Sequence, residues 1–511
     1  MRRYLYVGQV LGLLVGFYLV CALLVGGFVG LTVAAFAFGG VNRLSLLLAV
    51  VTLAAIFVVI RGVFVSTHVR TRDIVGVEAT PAAEPALWAR IRHLAQQVGT
   101  RAPRRIFLVP DVNAAVWENT RLLGLIPGRR QMMIGVPLLM ALPPAQMDAV
   151  LAHELGHYGN RDTRLGGLVG RARAGVMGAV RAAGRRRKVE LPGAVLFVAV
   201  FRWYAKIVLG VTQEASRAQE LAADRVAGAI AGRANAVAAL GEMRVIDAAY
   251  DFYLDRYATA GLRIGLLPPP PEVLGGFTAL LADPSRRAEL EKVRDEPDTG
   301  KSDPYDSHPP TTERIAALMA LPDDGVPPDA SGTRAIAVLS NPPDLLARVA
   351  LRALEKESAG KQAVPWDALA QAAGLHGAQE QAKPLLEVVA RLSGRPADLR
   401  SLVDLIAAGR FGEILAALPQ NEAARKTGAT GRVAREHAKT ELGPMLGGWL
   451  LADAARTGRA LWTHSWAKTG GDLQMAPELK AELNAAVNAL LSVRPDAGPL
   501  RALALGPAVA A

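Results

Sequence analysis

Residues Tyr4 to Val41 carry no charged side chain, and after Arg43 a second uncharged run extends from Leu44 to Ile60. A helix that crosses a bilayer needs about 20 such residues, so the first run is long enough to span. The second is short but is extended past Arg61 to Val65. Gly39-Gly40-Val41-Asn42 supplies the turn between them. A cleaved secretory leader is the competing reading, because Arg2-Arg3 makes an n-region and Ala35-Phe36-Ala37 imitates a cleavage site. Its apolar core would be far too long, and another apolar run follows at once. Residues 1–66 therefore read as a two-helix transmembrane hairpin and 67–80 as a juxtamembrane linker. Arg2, Arg3, Arg61, Arg70 and Arg72 flank one side of the hairpin and only Arg43 the other. The positive-inside rule then predicts an integral membrane protein with everything after the hairpin in the cytoplasm.

The balance of the 511 residues leaves room for two folded parts beyond the hairpin. Cys21, the only cysteine, lies in the first apolar run, so there is no intrachain disulfide and no cysteine nucleophile beside the motifs described next. A formal net charge of +12 raises the question of nucleic acid. No basic motif interleaved with aromatics occurs, which argues against such a partner. Much of the excess lies in Arg161, Arg164, Arg171, Arg173, Arg181 and Arg185-Arg-Arg-Lys188. In a membrane-tethered chain that segment most simply meets anionic lipid headgroups, with a solvated loop as the plain alternative.

The chemistry is concentrated in Leu151-Ala-His-Glu-Leu-Gly-His-Tyr158. On a helix, positions i and i+4 share a face, so His153 and His157 can aim ring nitrogens at one ion. Glu154 follows the first of them, where its carboxylate reaches a water activated by that ion: the pattern of a zinc metalloprotease with its own general base. Pro143-Pro144 suits the first turn of such a helix, Asp148 lies near its positive end, and Gly159-Asn160 suits its stop. A surface helix with two incidental histidines is the bland alternative, and only eight histidines in the chain make that coincidence uncommon.

A tetrahedral catalytic zinc needs a third protein ligand. Downstream, Ser216-Arg-Ala-Gln-Glu220-Leu-Ala-Ala-Asp224 has strong helix propensity. Glu220 is the best candidate ligand. Asp224, one turn further on the same face, can accept a hydrogen bond from the far nitrogen of a ligating histidine and so orient its ring. Alone, this pair would be read as two solvated helix charges; after HExxH the balance reverses.

These segments, with Ser307-His-Pro-Pro-Thr-Thr-Glu-Arg-Ile315, resemble the three signatures of the HtpX-like membrane zinc metalloproteases, a family that includes the CaaX prenyl proteases. Ile106-Phe-Leu-Val-Pro-Asp-Val-Asn-Ala114 resembles the family strand that ends in an Asn-Ala pair, and Met133 to Leu139 the strand and turn before the zinc helix. The resemblance runs over roughly residues 80–320. It implies a zincin-like domain in which His153, His157 and Glu220 hold one zinc ion and Glu154 is the general base. His308 matches a family histidine near the active site that would donate to a developing oxyanion; a turn role beside Pro309-Pro310 is the equal alternative. Arg314 matches the arginine that follows it, with an ion-pair role. The peptide would lie along the strand near Asn113 and Ala114.

Ala194 to Leu209 is apolar but interrupted by Arg202 and Lys206, and reads as a buried or interfacial helix leading to Glu220. Gly261 to Gly276, with four consecutive prolines from Pro268, reads as an exposed loop. Glu296 to Pro310 reads as a polar loop bordering the cleft. Residues 321–340 read as a linker, and 341–511 as a helical appendage with amphipathic runs at Leu345–Lys356, Trp366–Ala373, Lys383–Leu392 and Leu399–Leu418. His464, between Trp462 and Trp466, reads as core or interface. The expected fold is thus α+β and mostly helical: the hairpin, a metalloprotease domain over 81–320 and the appendage. The expected function is hydrolysis of protein or peptide substrates, misfolded membrane proteins first among them. A CaaX-type prenyl protease, a sensor-type signalling protease and a non-enzymatic zinc-stabilised scaffold are the alternatives.

Overall fold

The structure is a computed structural model that describes residues 2–65, 74–118, 129–159, 192–296, 309–355, 359–419 and 431–505. His308, most of the Glu296–Pro310 loop and the basic segment from Arg161 to Lys188 lie outside the described residues. Helices predominate, with small sheets. The chain forms two compact units, residues 1–250 with 287–354, and residues 251–286 with 355–511.

The first unit opens with α1 (Arg2–Gly39) and α2 (Arg43–Val65). Gly40 takes a left-handed φ of 64° after α1, a conformation open to glycine at little cost. Asn42 caps α2, its Oδ1 accepting from the backbone N–H of Leu44 and Ser45. Across the hairpin the Thr32 and Thr52 hydroxyls lie 2.7 Å apart. Large apolar side chains, among them Leu23, Val33, Phe38 and Leu53, remain exposed on it. Among the described residues one helix segment, Ala22–Gly39, is long and apolar enough to cross a membrane, whereas the apolar part of α2, Arg43–Leu53, is shorter.

β1 (Val77–Ala79), β2 (Arg105–Val109), β3 (Ala114–Glu118) and β4 (Arg130–Gly135) form a four-stranded sheet in the order β1-β2-β4-β3, with α3 (Pro85–Val98) between β1 and β2. β2 and β4 are parallel; β1 and β3 are antiparallel edge strands. The sequence reading ran one strand through to Asn113-Ala114. The strand instead ends at Val109, Asp111 to Asn113 turn, and Ala114 begins β3. That turn passes so near Gly135 that a Cβ there would lie 2.2 Å from the Asp111 carbonyl oxygen. A short α4 (Val136–Ala141) leads to α5 (Pro144–Gly159), which carries the HExxH residues. Asp148 does more than face a helix dipole: buried, it accepts from Arg90 Nε of α3 at 2.7 Å.

α6 (Pro192–Ala231) is a single helix through both Ala194–Leu209 and Glu220. Near its amino end Tyr204 is buried and donates its hydroxyl to Leu13 O of α1. α7 (Arg233–Tyr253) follows. The chain then contributes a π turn (Leu254–Ala258) and α8 (Pro270–Ala282) to the second unit, before α9 (Pro284–Asp295), α10 (Thr311–Met319) and α11 (Pro342–Ala353). The tetraproline segment is therefore no loop throughout. Pro270 starts α8, because proline's fixed φ suits a first turn, and Val273, Leu274, Phe277 and Leu280 bury the helix.

Residues 321–340 are not a free linker. Asn235, itself buried, donates to Pro327 O and accepts from Asp329 N at 2.7 Å. Asp329 Oδ2 accepts from Ala145 N in the first turn of α5, and Ala335 N donates to Leu142 O. The segment is a strap over the start of the HExxH helix.

In the second unit α12 (Trp366–Ser393) and α15 (Gly431–Arg456) continue through internal Pro384 and Pro444. The two runs read as separate helices, Trp366–Ala373 and Lys383–Leu392, are one. The run Leu399–Leu418 is two, α13 (Leu399–Ala407) and α14 (Phe411–Ala417), divided at Gly409 with φ 75°. With α16 (Pro477–Leu491) and α17 (Gly498–Leu505) they enclose a core including Leu385, Val389, Leu402, Leu446 and Leu490. A β5–β6 hairpin (Ala460–Thr463, Asp472–Met475) adds Trp462 to the buried set. His464 lies with its ring centroid 5.0 Å from that of Trp366 and 4.2 Å from that of Trp466.

Candidate metal centre

α5 packs along α6, and Gly156 permits the approach: a Cβ there would sit 3.4 Å from both Ala223 Cα and Val226 Cβ. The i, i+4 pairs His153/His157 and Glu220/Asp224 thereby face one another across the two helices. His153 Nε2 and His157 Nε2 are 3.2 Å apart. Glu220 brings one oxygen to 3.5 Å from His153 Nε2 and the other to 3.6 Å from His157 Nε2. Two ligands about 2.0–2.1 Å from a tetrahedral ion stand about 3.3–3.4 Å apart. The three separations fall near that spacing, the two to Glu220 ending on different oxygens, and two imidazole nitrogens with one carboxylate are an apt donor set for zinc. Glu154 is grouped with the two histidines, with a potential ligand atom within 4.8 Å of each of theirs. It follows His153 on the helix and is half-buried.

Behind these donors lies a second set of contacts. Asp224 Oδ1 is 2.9 Å from His153 Nδ1, which leaves Nε2 of that ring directed at His157 and Glu220. Arg314 from α10 grips both Asp224 oxygens, Nε to Oδ2 at 2.9 Å and Nη2 to Oδ1 at 2.6 Å. Burial alone would push the His153 imidazolium down, but hydrogen bonds to Asp224 and Glu220 carry it up to about 9. Asp224 is held below the usual carboxylate range: burial raises it, and the bonds from Arg314 and His153 outweigh that. The cluster is thus a buried, anionic place for one positive charge.

The sequence-predicted residues His153, Glu154, His157, Glu220 and Asp224 come together here. Asn113 and Ala114 lie at the start of β3, which α5 reaches through a hydrogen bond from the Tyr158 hydroxyl to Val116 O, 2.9 Å long. His308 lies outside the described residues. The contact set around Tyr158 was not anticipated, since its partners are scattered over residues 100–130 with no periodicity to join them.

A small sheet beside two packed helices, with HExxH on one and a glutamate on the other, defines a domain of metallopeptidase class. Residues 81–321 match the model of Peptidase family M48, and that segment is an M48 domain. The chain is 31% identical over 173 residues to a Protease HtpX homolog of Acaryochloris marina, covering 31% of this chain and 55% of that protein. It is 28% identical over 170 residues to a Protease HtpX homolog of Desulforapulum autotrophicum, covering 32% and 53% respectively. The chain thus spans about half the length of these curated relatives. No solved structure matches.

Proposed function

We propose that this chain is a membrane-anchored, zinc-dependent endopeptidase that faces the cytoplasm. The observation that carries the reading is the convergence of His153 Nε2, His157 Nε2 and the two Glu220 carboxylate oxygens, at separations of 3.2–3.6 Å. These three would hold the ion, and Asp224, steadied by Arg314, would keep the His153 ring turned toward it. Bound there, zinc would supply the Lewis acidity that makes water a nucleophile near neutral pH. Glu154 would accept the proton of the attacking water and return it to the leaving nitrogen. An extended substrate would add to the free edge of β3 beside Ala114, with Asn113 at its start. His308 would donate to the developing oxyanion. Both α1 and α2 would cross the membrane, and its lipids would surround their exposed apolar side chains. Membrane proteins that have lost their packing, and so present extended segments at the bilayer surface, are the substrates that suit this arrangement.

Detergent-purified protein should carry about one zinc per chain and cleave unfolded casein. Chelation should abolish cleavage and added zinc restore it. Glu154→Gln should retain zinc and lose hydrolysis by several orders of magnitude; substantial cleavage by that variant would refute the assigned base.

A further inference from the structure

The edge of β3 is not uniformly open to a peptide. Its register pairs Ala114 with Ile134, Ala115 with Met133 and Val116 with Met132, and Gly135 N donates to Asn113 O. In an antiparallel ladder a residue's N–H and C=O point to the same side and alternate along the strand. Residues 113, 115 and 117 therefore turn toward β4, while Ala114, Val116 and Glu118 turn toward the outer edge. Val116 O is engaged there by the Tyr158 hydroxyl. Tyr158 directly follows His157 on α5.

Tyr158 is in turn held from several sides. The Arg130 guanidinium carbon lies 4.4 Å from the centre of its ring, within cation–π range. Arg130 also donates to Glu118 Oε1 at 2.9 Å, to Thr100 Oγ1 at 2.8 Å and to Arg101 O at 2.8 Å. The Thr100 hydroxyl closes the circuit by donating to Tyr158 O at 3.0 Å. The last turn of the HExxH helix, the end of the β3 edge and the start of β4 are thereby one connected cluster.

We infer that Tyr158 is a positioning residue: its hydroxyl fixes the β3 edge relative to the histidine-bearing helix and ends the peptide-accepting edge at Val116. Ala114 remains as the position that exchanges main-chain hydrogen bonds with a bound strand. A peptide long enough to reach β3 then meets an edge already fixed relative to the HExxH helix, and a shorter one gains nothing from it. This inference rests on the β3 edge-addition reading proposed above, and the test separates the two.

The zinc-loaded protein in detergent micelles would be assayed with a quenched-fluorescent octapeptide and with a blocked tripeptide. In a second octapeptide, ester linkages replace the amides on the side that would lie along β3. Loss of a hydrogen bond to a carbonyl so placed corresponds to roughly 5- to 10-fold. Tyr158→Phe should raise KM for the octapeptide by that factor, with kcat within about twofold and tripeptide cleavage unchanged. The same factor should appear in the dissociation constant of a labelled octapeptide measured on the Glu154→Gln background, where nothing is cleaved. An unchanged or lowered octapeptide KM, or an equal loss on both peptides, would overturn the role of Tyr158. So would loss of zinc or of the folded transition in Tyr158→Phe, which would make the residue a support of the helix instead. If the ester octapeptide binds the unaltered protein as tightly as the amide, edge addition itself is wrong, whatever Tyr158→Phe does.

Discussion

Asp224 decides how firmly the metal centre can be held, because it links the His153 ring to Arg314. Its side chain is 4% exposed and that of Arg314 is 11%, so the pair sits where bulk water screens little. Removing one member of a buried pair leaves the other uncompensated, at a cost of about 3–5 kcal/mol. Arg314→Ala should therefore lower the stability of the metal-loaded protein by about that much, read as a shift in the urea midpoint at constant slope. A change typical of surface pairs, below about 1 kcal/mol, would show that the burial is not retained in solution. Metal content separates the carboxylates. Glu220→Ala should release the ion, whereas Asp224→Asn, which spares the ligands, should weaken it about 10- to 100-fold. Metal analysis of the two variants side by side distinguishes ligand from support, and equal retention in both would leave the site without its third donor. His153, Glu154, His157, Glu220 and Asp224 were legible because helical spacing is written locally in a sequence. An ion pair of Arg314 was also legible by resemblance, but its partner was not, since Arg314 reaches across 90 residues to Asp224 and only the folded chain brings them together.

At the level of elements, the strap over residues 321–340 has the greatest consequence for the site, because it holds the amino end of α5. Asn235 on α7 is its anchor: Oδ1 accepts from Asp329 N, and Nδ2 donates to Ala231 O at 2.9 Å and to Pro327 O at 3.3 Å. Asn235→Ala would remove these bonds, the one to Ala231 O buried and the two to the strap part-buried, at about 1–3 kcal/mol. The expected result is a lower thermal midpoint and faster protease nicking between Pro322 and Arg334, with metal ligands intact. Unchanged nicking would mean that the strap is held by its other contacts, such as the Arg334 guanidinium on Ala141 O at 2.6 Å. The sequence misled here for a physical reason. Proline, glycine and aspartate mark irregular backbone, and irregular backbone is a linker only if nothing binds its N–H and C=O groups. The same limit explains α8 and α12. Pro270 lies where a proline starts a helix, and Pro384 sits within a helix whose face, including Leu385, Val388 and Val389, is buried. Packing there outweighs a local penalty of about 3 kcal/mol. Helical character was legible where periodicity is local, from α5 and α6 to the amphipathic α13, but not at α8, whose start in a proline run reads as a loop.

For the first unit as a whole, the contact of α6 with α1 would set which side of the membrane the metal centre takes if α1 and α2 span it as proposed. Tyr204 of α6 contacts α1 at Leu13, and its hydroxyl would be 2.8 Å from a Cβ placed on Gly16. Among the described residues a segment of α1 apolar enough to span runs from Ala22 to Gly39, just before the hairpin turn. At about 1.5 Å per residue, Leu13 lies about 40 Å from the turn. The helix that carries Glu220 therefore joins the hairpin at the end away from Gly40, on the side of the amino terminus. Arg2 and Arg3 lie at that end and Arg61 follows the apolar part of α2, against Arg43 alone at the turn. Under the proposed orientation the charge bias would put that end in the cytoplasm, and the packing of Tyr204 would carry the metal centre with it. A reporter inserted at Gly40 should then be active outside the membrane, and reporters fused after Leu321 and at the carboxyl terminus should be active only in the cytoplasm. In intact cells the M48 domain should resist added protease, and permeabilisation should expose it. A reporter at Gly40 that reads cytoplasm, together with an M48 domain cleaved in intact cells, would invert the orientation. It would also remove cytoplasm-exposed segments of damaged membrane proteins from the possible substrates.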